Sequence, residues 1–69
     1  MEFTIETGLE VDGRWIAEIA QVPGALVYAE TRQEAVTKVQ ALALRVLAER
    51  IEHGELSQEI TEMFTVTTV

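Results

Sequence analysis

The chain has no cysteine and a single histidine in 69 residues. Without cysteine there is no disulfide framework and no thiolate metal site. No catalytic triad or metal cluster is recognisable around the lone histidine, His53, which we place in the last turn of a helix. The carboxylates are numerous enough for a metal or an acid–base pair, but their alternate positions along strands are typical of a solvated face. We therefore predict no enzyme, no catalytic residues, no cofactor and no metal.

Basic residues are also scarce, with five Lys and Arg against twelve Asp and Glu, a formal net charge of −7. Four of the five bases lie on a predicted helix among glutamates, as in the i,i+4 pairs Glu34–Lys38 and Arg45–Glu49. Nucleic acid and anionic membranes repel such a surface, whereas a basic protein is attracted to it. We expect no direct nucleic-acid binding. The acids serve either a basic partner or only the solubility of a small domain.

Long hydrophobic runs are missing as well. No apolar stretch approaches the roughly 20 residues needed to span a bilayer, and the first residues lack the pattern of a signal peptide. We expect a soluble cytoplasmic protein that forms one domain over residues 1–69. A domain of this size buries only about 60% of its unfolded surface. Its narrow stability margin makes self-association, as a dimer or tetramer, one of the available remedies.

The patterns that are present predict four strands. Apolar and polar residues alternate from Phe3 to Glu10, which is the period of a half-buried strand. Asp12-Gly13 is a hairpin turn signal, and the chain returns as a strand over residues 14–19. Val22-Pro23-Gly24 breaks the pattern before a third strand over residues 25–29. Residues 60–69, rich in β-branched side chains, predict a fourth strand.

One long helix is predicted between the third and fourth strands. Thr31 and Glu34 form a capping box at its start, and nothing interrupts it before His53, with Gly54 expected at C′. Its expected core stripe comprises Val36, Val39, Leu42, Ala43, Val46 and Leu47. The predicted fold is therefore α+β with the order β-β-β-α-β, a four-stranded sheet with a single helix packed on one face.

Two surfaces are candidates for binding. At about 100° per residue, Ala41, Leu44 and Ala48 fall beside the core stripe and predict a contact with another copy or a partner. The alternative is that alanine is a good helix former anywhere and one exposed leucine is normal. The acidic residues expected to face a partner are Glu6, Glu10, Asp12 and Glu18.

Three motifs in order resemble the HicB-like antitoxin family. They are Trp15-Ile16-Ala17-Glu18-Ile19, Val22-Pro23-Gly24, and Thr31 ahead of Glu34-Ala35, within a resemblance that covers roughly residues 3 to 52. Ala25 and Ala29-Glu30 depart from the family's pattern, which often has a small residue such as Cys after Pro-Gly and a Gly-acid pair before the Thr. Members usually continue into a DNA-binding segment, and this chain stops at the predicted fourth strand.

The resemblance implies a partial RNase H-like fold without RNase H catalytic carboxylates, with sheet order 3-2-1-4 and strand 4 parallel to strand 1. It also implies a function, which is to neutralise a small basic HicA-type RNA-cleaving toxin by covering it. The alternative is an orphan homo-oligomeric structural or small-molecule-sensing module with no toxin partner.

Overall fold

The computed structural model describes residues 2–55 and 58–68. Its elements are β1 (Glu6–Leu9), β2 (Trp15–Glu18), β3 (Leu26–Ala29), α1 (Arg32–Glu52) and α2 (Gln58–Glu62). The strands form one antiparallel sheet in the order β1-β2-β3. The long helix α1 packs on one face of this sheet. The prediction of an α+β sheet covered by one long helix is confirmed to that extent.

The β1–β2 hairpin turns where the sequence predicts it. Gly13 has φ +89°, which a residue without a Cβ adopts at little cost. The Glu10 amide donates to the Arg14 carbonyl at 2.7 Å, and the Gly13 amide donates to the Glu10 carbonyl at 3.0 Å. Asp12 supports the turn through its carboxylate, which accepts from the Arg14 backbone amide at 3.0 Å and from Arg14 Nε at 2.7 Å.

The hairpin gives a prediction about Asp12. Hydrogen bonds from the Arg14 backbone amide and then from its side chain lower the pKa of Asp12 below 3.8. Arg14→Ala removes the guanidinium but keeps the backbone amide that donates to Asp12. We therefore expect an NMR titration to show that the pKa of Asp12 rises only part of the way to its ordinary value. Because the pKa of Asp12 is lower in the folded than in the unfolded state, the ionised carboxylate stabilises the hairpin at pH values above the unfolded-state pKa. That contribution is lost as the pH falls through the folded-state pKa. If the pKa of Asp12 returned fully to 3.8 in Arg14→Ala, the backbone hydrogen bond could not be the main cause of the lowered pKa.

The two faces of the sheet differ. The pairs Thr7↔Ala17 and Ala17↔Val27 place these residues in one row facing α1, where Ala17 is fully buried. The neighbouring row, Glu6, Glu18 and Leu26, is exposed on the opposite face. Strand side chains alternate between faces, so the row of Gly8, Ile16 and Tyr28 shares that outer face. No helix covers the outer face within the described chain.

The N-cap and the C′ glycine of α1 are those predicted, but only the Thr31 half of the predicted capping box is formed. Thr31 is the N-cap, and its hydroxyl accepts from the Glu34 amide at 3.1 Å. The Glu34 carboxylate lies 3.0 Å from Lys38 Nζ, which confirms that predicted ion pair. At the other end Gly54 has φ +77°, the Glu55 amide donates to Arg50 and the Gly54 amide donates to Ile51. This pair of bonds is the Schellman motif that ends many helices.

The core is built mainly from small side chains. Along α1 the buried positions are Ala35, Val39, Ala43 and Leu47, four residues apart. The predicted core stripe was therefore too wide, because three of its residues are only half-buried, namely Val36, Leu42 and Val46. Five of the ten buried hydrophobic residues are alanine: Ala17, Ala25, Ala29, Ala35 and Ala43. Alanines on both sides allow α1 to approach the sheet closely, but they remove little apolar surface from water.

The predicted fourth strand is wrong. Residues 58–62 form the short helix α2, and residues 64–68 belong to no helix or strand, while Val69 lies outside the described residues. Gln58 and Glu62 favour helix, and Gln58 Nε2 donates to Glu62 Oε1 across one turn at 3.1 Å. A single turn is enough to bury Ile60, which is 2% exposed. The sheet consequently has three strands, and the predicted order 3-2-1-4 is also wrong.

No helix in the described part of the chain is long and apolar enough to cross a membrane.

Candidate protein-binding surfaces

The described residues bring together no cluster of three or more His, Asp or Glu that could hold a metal ion. His53 lies at the C-terminus of α1, where its Nδ1 is 2.9 Å from the Glu49 carbonyl oxygen. That oxygen can only accept, so a protonated Nδ1 donates to it. His53 is the C-cap of α1, next to the last turn in which it was predicted, and its side chain binds a carbonyl of that turn.

The outer face of the sheet carries the first candidate surface. Glu6 of β1 and Glu18 of β2 are direct cross-strand partners, and both are exposed. Neither carboxylate makes an ion pair within residues 2–55 and 58–68. Like charges directly opposite each other on neighbouring strands repel. This end of the outer face therefore presents two unneutralised negative charges side by side.

The other two predicted acids lie at the hairpin end of the same molecule. Glu10 and Asp12 line a shallow depression of about 320 Å³ together with Val11, Arg14 and Tyr28. Asp12 is neutralised by Arg14, whose guanidinium carbon is 4.6 Å from the centre of the Tyr28 ring. This arrangement fixes Arg14 by an ion pair and a cation–π contact. The four predicted acids thus form two groups, and only the Glu6–Glu18 group is free of a base.

The bases are mostly occupied elsewhere. Arg32 Nε donates to Thr7 Oγ1 at 3.3 Å, and Arg50 Nη2 donates to the Pro23 carbonyl at 2.9 Å. These bonds tie α1 to β1 and to the loop before β3. The predicted pair of Arg45 with Glu49 is not formed in the described chain. No cation of α1 is therefore paired with Glu6 or Glu18.

An apolar groove on the helix side of the sheet is the second candidate surface. It measures about 430 Å³, and its lining consists of Phe3, Ile5, Ile19, Gln40, Ala43, Leu44 and Leu47. Gln40 is its single polar lining residue, and none of the lining residues is charged. Phe3 and Ile5 precede β1, which is an edge strand, so the groove lies between the β1 side of the sheet and α1.

The three predicted interface residues lie beside or within this groove. Leu44 lines it and is 62% exposed. Ala41 and Ala48 are also exposed, and their spacing places them on the same side of α1 as Leu44. The structure thus places Leu44 of the predicted helix surface in one groove with Phe3 and Ile5 from the N-terminal part of the chain. Whether this surface is an interface stays a prediction.

The sequence reasoning missed the second half of this surface. Phe3 and Ile5 were predicted to lie in a half-buried strand, and they are half-buried, but their place in a groove was not foreseen. Phe64 and Val66 were assigned to the fourth strand, whereas they belong to no strand and are 66% and 93% exposed. The signal that could have found them is the alternation of residues 63–68, which is as typical of a strand added to another sheet as of a strand within one.

Comparison of the chain with protein-family models, with curated proteins and with solved structures found no match. The resemblance to HicB-like antitoxins therefore depends on the three motifs of residues 3–52 alone.

Proposed function

We propose that this chain is a protein-binding domain that contacts a small basic protein through the outer face of its sheet. By the resemblance described above, that partner is a HicA-type RNA-cleaving toxin, which the domain neutralises by covering it. The observation that carries the proposal is the pair Glu6 and Glu18, adjacent, exposed and unpaired in the described chain. An RNA-cleaving toxin acts in the cytoplasm, so the proposal places the chain there.

In the free chain the carboxylates of Glu6 and Glu18 repel each other. A Lys or Arg of a partner placed between Glu6 and Glu18 would convert a repulsive pair into an attractive cluster. The net charge of −7 adds long-range attraction that speeds the encounter with a basic protein. Beside the acids, the partly exposed side chains of Leu26 and Tyr28 supply apolar contact area. An uncovered face that carries both acids and apolar groups can bind a basic protein through charge attraction and apolar contact.

A homo-oligomeric module without a toxin is the second candidate function. The observation that favours it is the contrast between a core rich in alanine and large apolar side chains left outside. Those that are exposed include Leu9, Val11, Leu26, Tyr28, Leu44, Ile51, Met63, Phe64 and Val66. Large exposed apolar patches mark interaction surfaces more often than free surface. The groove of about 430 Å³ also has the size of a small-molecule site, which supports the alternative of a small-molecule-sensing module.

The charge of the outer face gives the test of the leading candidate. A Glu6→Lys/Glu18→Lys double variant should lose a small basic protein that the wild-type chain captures from its native cells at low salt. Association of the recovered partner should slow at least about tenfold at low ionic strength, and its salt dependence should flatten. Quantitative mass spectrometry of the captured proteins and stopped-flow mixing with the recovered partner measure the two effects.

The matched control is Glu49→Lys/Glu52→Lys, which changes the net charge equally on exposed positions of α1. A specific role of the outer face predicts that the control still captures the partner and slows association less. Equal slowing in both variants would show that only the net charge matters, and capture undiminished by Glu6→Lys/Glu18→Lys would refute the proposal.

A further inference from the structure

We propose that the groove between β1 and α1 is filled by the C-terminal segment of a second copy of this chain, defined here as residues 63–68. Phe64 and Val66 of that segment would enter the groove, and its backbone would run along the open edge of β1. Two copies would exchange these segments reciprocally. The proposal goes beyond a basic partner, because it uses another surface and another occupant.

The C-terminal segment has the composition of a strand that has no sheet. It alternates large apolar residues with threonine, as Phe64, Val66 and Thr68 lie on one side of an extended chain and Met63, Thr65 and Thr67 on the other. Its residues are all exposed, and Val66 retains 93% of its surface. An apolar, β-branched and uncharged segment of this kind is unfavourable in water unless another surface covers it.

The segment does not fill the groove of its own chain. Residues 63–68 are all exposed, and none of them is among the residues that line the groove. Ile60, in the preceding helix α2, is buried in the core at 2% exposure. Phe64 and Val66, which follow it, remain 66% and 93% exposed within the described chain.

The groove offers what the segment lacks. One wall is α1 with Ala43, Leu44 and Leu47, and the other is Phe3 and Ile5 ahead of the edge strand β1. An edge strand presents backbone N–H and C=O groups that can pair with an added strand. Phe64 and Val66 are two residues apart, about 7 Å in a strand, so both can face one wall. Added strands combine backbone pairing with side-chain pockets in this way.

Charge selects the same two surfaces. Two bodies of net charge −7 repel each other at long range, so a contact between copies of this chain is favoured where both surfaces carry no charge. The lining of the groove has no charged residue, and residues 63–68 have none either. A basic partner, by contrast, would find nothing to pair with in the groove. The uncharged groove and the uncharged segment therefore fit each other, and reciprocal exchange gives a closed two-fold dimer.

The absence of cysteine makes the test direct. Leu44→Cys and Phe64→Cys are prepared as separate proteins, mixed in equal amounts, equilibrated and oxidised mildly. Both positions are well exposed, at 62% and 66%, so we expect both variants to keep the wild-type circular dichroism spectrum. The mixture should give a disulfide-linked species at twice the chain mass of 7.7 kDa, which neither variant gives alone. A mixture of Phe64→Cys with Val11→Cys, on the hairpin turn, is the matched control.

A chain carrying both cysteines identifies the copy that fills the groove. Exchange between copies predicts linked dimers at low protein concentration, whereas a disulfide closed within one 7.7 kDa chain would overturn the proposal. No more linkage in the Leu44→Cys and Phe64→Cys mixture than in the Val11→Cys control would overturn it as well. The test uses pure protein without a basic partner, so its failure leaves the role of Glu6 and Glu18 standing.

Discussion

A Val39→Asp variant is expected to be unfolded at 25 °C. Val39 is fully buried at the centre of α1 and is, with Val22, one of the two largest side chains buried this completely. A carboxylate in an apolar site of this kind costs several kcal/mol, whether it stays charged or becomes protonated. At about 0.05–0.15 kcal/mol per residue, a 69-residue domain has only roughly 3 to 10 kcal/mol of stability to lose. Far-ultraviolet circular dichroism and the fluorescence of Trp15, the single tryptophan, measure the loss.

The control for this prediction is Val11→Asp, which makes the same chemical change at a fully exposed position of the hairpin turn. Substitutions at such positions change stability by about 0.5 kcal/mol or less, so its melting temperature should stay close to that of the wild type. A Val39→Asp protein with a native spectrum and a cooperative transition near the wild-type temperature would show that the contact of α1 with the sheet is not the core.

The features predicted correctly from the sequence are those that neighbouring residues decide. The turn at Asp12-Gly13 needs a residue that accepts positive φ, and Gly13 supplies it at φ +89°. The start of α1 needs a side-chain acceptor for an orphan amide, and Thr31 supplies it. Its end needs a left-handed residue, and Gly54 supplies it at φ +77°. Such interactions span six residues or fewer, so their participants can be recognised together in the chain.

The buried side of α1 was predicted less accurately because the helix is apolar over much of its circumference. Periodicity correctly included Val39, Ala43 and Leu47, but it added the half-buried Val36, Leu42 and Val46 and omitted the buried Ala35. Hydrophobicity alone cannot decide between adjacent positions when both are apolar. We attribute the choice to side-chain size, since Ala17 and Ala29 of the sheet belong to the same buried cluster as Ala35 and Ala43 of the helix, whereas the larger Val36, Leu42 and Val46 are only half-buried.

The fourth strand failed for a different reason. Residues 60–69 have the alternation and the β-branched content of a strand, but a strand also needs a neighbour, and the identity of that neighbour is not encoded within the segment. Gln58 and Glu62 favour the short helix α2, and Ile60 is buried from that helix instead of from a strand. Phe64 and Val66 were then left exposed. The proposed exchange would cover these two side chains with a second copy.

Complementation between two variants gives the largest expected change in assembly. Alone, Leu44→Asp damages the groove in both copies of a dimer, and Phe64→Asp damages both C-terminal segments. Each should raise the dimer dissociation constant at least about 100-fold, because a charge enters an apolar contact and each tenfold change corresponds to only about 1.4 kcal/mol. Sedimentation velocity should report a 7.7 kDa species for each variant at concentrations where the wild type is dimeric.

The mixture of the two variants distinguishes exchange from any other dimer. A heterodimer of Leu44→Asp with Phe64→Asp keeps one intact groove, on the Phe64→Asp chain, filled by one intact segment from the Leu44→Asp chain. It should therefore form more tightly than either homodimer and less tightly than the wild type. A dimer formed by packing α1 against α1 would instead contain Leu44 in a symmetric contact. Its stability would not depend on Phe64. A mixture that remains monomeric would rule out exchange, whereas partial recovery would follow only if Leu44 and Phe64 meet between copies.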